Sequence, residues 1–111
     1  MLEKIDVPHT KVLIHELYNL LYNDGQNNRG KDDITDVLLQ VYKTIDQQKN
    51  PARFVSKLVT YIYSVGFNNH VHFDKEEESL VNQLGVIAQK SGWNGLYEAN
   101  YNFKSEFFNG L

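Results

Sequence analysis

The chain has 111 residues, the length of one domain covering 1–111. With 41% apolar and 23% charged residues it has the composition of a folded protein, and it contains no cysteine, which excludes a disulfide scaffold and thiolate metal sites and fits a reduced cytosolic home. The net charge of −3 argues against a dedicated nucleic-acid binder, and no run approaches the roughly 18 apolar residues of a membrane span.

Met1 to Asp6 lacks the basic start and apolar stretch of a secretory signal. The first helix is predicted over about 8–23. Asp6 precedes it, and Pro8 suits a first turn, where its missing N–H would be unpaired anyway. Leu13, Leu17, Leu20 and Leu21 recur at helical spacing, and Ile14 and Tyr18 widen the stripe. Asn23-Asp24-Gly25 stops it, and Gln26 to Gly30 reads as a polar loop.

The second helix is predicted over about 33–48, capped by Asp32 or Asp33. Ile34, Val37, Leu38, Val41 and Ile45 lie at i, i+3, i+4, i+7 and i+11, one buried face. Burying the five contributes roughly 8–15 kcal/mol before chain entropy is subtracted.

The third is predicted over 51–66. Asn50-Pro51 is a cap followed by proline at the first helical position, and Gly66 is read as the end. Phe54, Leu58, Ile62 and Val65 form its apolar row. Strand competes, because Tyr61-Ile62-Tyr63 is aromatic and β-branched. The row spans three turns, which decides for helix.

The fourth is predicted over 74–91. Asp74-Lys75-Glu76-Glu77 has the form of a capping box, and Glu76, Glu77 and Glu78 complement the helix dipole. Leu80, Val81, Leu84, Ile87 and Ala88 make the apolar face, and Gly92 is placed as the C-terminal cap. The acidic start is expected to stand in water. Four amphipathic helices joined by short loops predict an all-α, antiparallel four-helix bundle.

The last stretch, 93–111, is of another kind, with Trp93, Tyr97, Tyr101, Phe103, Phe107 and Phe108 among Gly and Asn. A free tail should be poor in aromatics, so this segment is expected to pack on its own helices or on a partner. Tyr and Trp suit recognition because they bring large area and a polar handle.

Catalytic chemistry is hard to assemble from these residues. His70-Val71-His72 could share an ion in an extended chain, but a third ligand would have to come from Asp74 or Glu76, and a polar loop is the simpler reading. His15-Glu16 lacks the second histidine of a metalloprotease helix, and His9 has no assigned role. Asp74, Glu76, Glu77 and Glu78 read as capping and solvating groups. The serines lack a nucleophile elbow, and Gly92-Trp93-Asn94-Gly95 is no phosphate loop. Lys43, Lys49, Arg53 and Lys57 read as a charged face balanced by Asp46. No enzyme, metal or cofactor follows.

Three segments together carry a family resemblance. They are Asp36-Val37-Leu38-Leu39-Gln40-Val41, His72-Phe73-Asp74-Lys75-Glu76-Glu77-Glu78, and Leu84-Gly85-Val86-Ile87-Ala88-Gln89-Lys90 followed by Gly92-Trp93-Asn94-Gly95. The chain resembles the immunity proteins for class IIa (pediocin-like) bacteriocins of lactic acid bacteria, with the leucocin/mesentericin-type members most similar. The likeness covers most of the chain and is weakest over the first 30 residues.

The resemblance implies a cytoplasmic four-helix bundle with a C-terminal segment folded back on it. It implies protection of the producer cell from within, by association with the mannose phosphotransferase membrane components that have bound bacteriocin. Contact with the inner face of the membrane would be peripheral. The expected partner surface is regional: His70 and His72 in one loop, and Trp93, Tyr97, Tyr101, Phe103, Phe107 and Phe108 in the tail. The family the chain resembles varies greatly in that tail, so no residue there inherits a role. A monomer without cofactor or nucleic acid is expected. The alternative is a small helical adaptor binding another protein through the same aromatics.

Overall fold

A computed structural model describes residues 4–90. Among these described residues there are four α-helices: α1 (Val7–Tyr22), α2 (Arg29–Thr44), α3 (Pro51–Asn68) and α4 (Lys75–Lys90). A tight 3-10 turn at Ile45–Gln47 continues α2. Each helix packs on the next, and α4 closes the ring against α1. The predicted all-α four-helix bundle is what forms.

Side-chain pairs fix the helix directions. Lys11, early in α1, bonds Asp46, just past the end of α2, at 2.8 Å. Asn28, the cap of α2, donates to the carbonyl of Asn69, just past α3. His9 of α1 shares a surface groove with Val86 and Ile87, late in α4. Neighbouring helices therefore run antiparallel.

The predicted starts of α1 and α3 hold. Asp6 accepts the N–H of His9 at 3.0 Å, and Asn50 accepts that of Arg53 at 3.2 Å. Three boundaries need correction, both ends of α2 and the end of α3. α2 begins at Arg29, not near residue 33, and it ends at Thr44. The cap is Asn28, whose Oδ1 accepts the N–H groups of Gly30 (2.8 Å) and Lys31 (3.3 Å). Asp32 then lies in the first turn, where the helix dipole favours it.

α3 runs past Gly66 to Asn68. Gly66 serves packing rather than termination: a Cβ there would come within 2.8 Å of the Phe73 ring. The helix ends instead in a Schellman motif. Val71 N–H donates to the Gly66 carbonyl, and His70 N–H to that of Phe67. His70 takes the left-handed position at φ 55°.

One core fills the bundle. Ile14, Leu17 and Leu21 meet Ile34, Leu38 and Val41, then Val55, Leu58 and Ile62, then Leu84, all fully buried. The strand-prone Tyr61-Ile62-Tyr63 is helical, because the core row through Leu58, Ile62 and Val65 outweighs local propensity. Residues 91–111 lie outside the described residues, and with them the Gly92 cap and the aromatic segment. Among the described residues no helix is long and apolar enough to cross a membrane.

Candidate functional site

The end of the bundle where the α1–α2 and α3–α4 loops meet carries a connected set of polar contacts. Gln26 spans both loops. Its Oε1 accepts the N–H of His72 at 2.8 Å, and its Nε2 donates to the His72 carbonyl at 2.9 Å. The same Nε2 donates to Asp24 Oδ2, and Gln26 N–H donates to Asp24 Oδ1. Asp24 in turn pairs with Lys31 at 3.5 Å, and the Lys31 side chain is mostly buried. Asn28 adds a second tie through Asn69. Gly30 lets the two loops touch, since a Cβ there would lie 2.5 Å from the Cβ of Asn69.

This construction holds the His70–Phe73 loop in place. Val71 is buried, and Phe73 packs against the core and Gly66. His70 and His72 stay exposed. The two histidines named from sequence are thus presented outward from a loop whose backbone is held on both sides.

α4 opens with the expected capping box: Glu77 N–H donates to Asp74 Oδ1 at 2.8 Å, and Asp74 N–H donates to Glu77 Oε1 at 2.9 Å. The expectation of an acidic start wholly in water is overturned by Glu77. Its residue is only 2% exposed, and its Oε2 has no hydrogen-bond partner in the protein. Burial holds the Glu77 carboxyl above its ordinary value, and the charges of Asp74 and Asp24 push the same way. The backbone bond from Asp74 and the imidazole of His72 oppose the rise. The sequence held a signal for this. Glu77, Leu80, Val81, Leu84 and Ala88 follow one helical row, so Glu77 belongs to the buried face.

A second surface feature lies on α3. Phe67 is 82% exposed and Tyr63, one turn earlier, 52%. Tyr63 donates to Asn82 Oδ1 at 2.8 Å, and partial burial together with Glu78 raises its hydroxyl. Sequence reading missed Phe67 because it ended α3 at Gly66. Extending the helix to Asn68 places Phe67 four residues after Tyr63, away from the Leu58–Ile62–Val65 face.

At the opposite end, Lys11 lies 4.8 Å from the centre of the Tyr42 ring, and His15 packs on the same ring. The hydrogen bond to Asp46 is the main reason the Lys11 ammonium is held above its ordinary value. Asp46, expected to balance the basic residues of α2 and α3, thus forms its ion pair with α1. His9 is exposed in the first turn of α1. Among the described residues, no group of three or more His, Cys, Asp or Glu is placed to hold a metal ion. Of the predicted surface, His70 and His72 come together in one loop. Trp93, Tyr97, Tyr101, Phe103, Phe107 and Phe108 fall outside the described residues.

Comparison with known proteins decides the family. The profile of the bacteriocin immunity protein family matches residues 8–89, which reaches from the second residue of α1 to the last but one of α4. The chain belongs to that family. It is 42% identical over 98 residues to the probable leucocin-A immunity protein of Leuconostoc gelidum, covering 88% of this chain and 86% of the relative. It is also 42% identical over 92 residues to the probable mesentericin-Y105 immunity protein of Leuconostoc mesenteroides, covering 83% of this chain and 80% of that one. No solved structure gives a significant match.

Proposed function

We propose that this immunity protein protects its cell against a class IIa bacteriocin from the cytoplasmic side of the membrane. It does so by associating with mannose phosphotransferase membrane components that have bacteriocin bound. The observation that carries the reading is the 42% identity, across most of the chain, to immunity proteins named for leucocin-A and mesentericin-Y105. The reading needs a binding surface and no catalysis. The His70–Phe73 loop supplies part of that surface, and the segment with Trp93, Tyr97, Tyr101, Phe103, Phe107 and Phe108 supplies the rest. Rigid presentation of the loop supports its role, because a held loop loses little entropy on binding.

Capture from membranes tests the association. The tagged full chain is added to detergent-solubilised membranes of a sensitive bacterium, with and without a class IIa bacteriocin. The proposal expects recovery of the phosphotransferase membrane components only when bacteriocin is present. Recovery of a cytosolic protein alone, with no membrane component, would favour the adaptor reading.

A further inference from the structure

Glu77 is the group that the immunity reading leaves without a task. It is buried at the junction of the two loops, and four charged or titratable groups stand around the junction. Asp24 belongs to the α1–α2 loop and Lys31 to α2. Asp74 and His72 belong to the α3–α4 loop. Glu77 Oε1 is occupied by the backbone of Asp74, while Oε2 is enclosed without a partner. A charged carboxylate there faces the like charges of Asp24 and Asp74. Lys31 is ion-paired with Asp24 at 3.5 Å. His72 is exposed and offers a cation only when protonated.

The same Asp24 anchors Gln26, and Gln26 grips the backbone of His72. Charging Glu77 costs chiefly because its carboxyl is buried, with repulsion from Asp74 and Asp24 adding to that cost. Parting the loops that this clasp joins lets water reach the carboxylate and removes the cost.

We propose that Glu77 and the Gln26 clasp form a proton-operated latch. With Glu77 neutral the α1–α2 and α3–α4 loops are locked together. With Glu77 charged the His70–Phe73 loop opens more often. Opening exposes Glu77 to water and returns its carboxyl toward an ordinary affinity for protons. The closed state thus binds the proton more tightly, and the opening constant rises with pH. A single proton limits the slope to about tenfold per pH unit. The latch is a property of the fold and is tested without reference to protection.

Amide hydrogen exchange of the full-length protein reads the latch directly. The reporter is the His72 N–H, which donates to Gln26 Oε1. After correction for intrinsic exchange, its protection is expected to fall as pH rises above the ordinary carboxyl range, by up to about tenfold per unit. Glu77→Gln keeps the capping box, since glutamine serves at that position, and is expected to hold protection flat and high. His72→Gln removes the nearby imidazole and is expected to keep the pH step. Asp24→Asn removes a like charge and is expected to move the step to lower pH. Flat protection in the native chain, a step that survives Glu77→Gln, or a step lost with His72→Gln would overturn the proposal. So would a step that Asp24→Asn leaves in place, the decisive reading should Glu77→Gln fail to fold.

Discussion

Gln26 holds His72 by both backbone groups, accepting its N–H at 2.8 Å and donating to its carbonyl at 2.9 Å. The residues are 46 positions apart, so the contact ties two distant loops and not a local turn. It satisfies a loop segment that no regular helix or strand would otherwise pair.

Gln26→Ala should therefore loosen one end of the bundle without melting it. Two partly solvated hydrogen bonds to His72 are lost, and the expected destabilisation is about 1–2 kcal/mol. Urea unfolding should show a lower midpoint with an unchanged slope, because the surface exposed on unfolding stays the same. Far-ultraviolet circular dichroism should be unaltered.

His70→Gly should stabilise the protein. His70 sits at φ 55°, a conformation that L residues adopt at a cost and glycine adopts freely. The gain should be about 0.5–1 kcal/mol, partly offset by the greater entropy of the unfolded glycine chain. Thermal unfolding would register it as a rise of a few degrees.

Gly30→Ala should do the opposite. Its Cβ would meet the Cβ of Asn69 at 2.5 Å, and neither atom can swing away without moving backbone. The expected loss is about 1–3 kcal/mol, as for other overpacked sites. Gly85→Ala is the control, since its nearest neighbour would be Val59 Cγ1 at an ordinary 3.8 Å. A helix interior favours alanine there, so this variant should be neutral or stabilising.

How legible these features were in the sequence follows from how local their causes are. The caps Asp6, Asn50 and Asp74 act within three residues, and each was readable where it stands. The core rows of all four helices followed from periodicity alone. Asn28 escaped because its helix opens inside a polar stretch, with a glycine that only the distant Asn69 explains. Gly66 misled for the same reason: its partner is Phe73, in the next loop. Three consecutive glutamates look alike in sequence, yet only Glu77 falls on the row of Leu80, Leu84 and Ala88. His70 and His72 were placed in the right loop. The grip of Gln26 that presents them is a long-range contact with no sequence signature.

Stability should depend on pH through Glu77, and the sign can be worked out. Its carboxyl is raised in the folded state, chiefly by burial, so the native protein holds a proton that the unfolded chain has already released. That contribution is full below the ordinary carboxyl value. It is lost as pH climbs through the raised folded value. Unfolding free energy measured from pH 4 to 8 should include a decline that Glu77→Gln removes. An identical profile in the two proteins would deny Glu77 this role.

Truncation probes the proposed partner surface. A chain ending at Gly95 keeps all four helices and loses Tyr97, Tyr101, Phe103, Phe107 and Phe108. It should retain much of its helical signal and lose protection. Full protection by this shorter chain would remove those aromatics from the mechanism.

The most direct test is survival. The full chain is expressed inside a bacterium sensitive to class IIa bacteriocins, and the cells are challenged with a panel of those peptides. The account predicts protection against one or a few of them, with leucocin-A and mesentericin-Y105 as the first to try. Undiminished killing by every peptide of the class, with the protein folded and present in the cells, would contradict it.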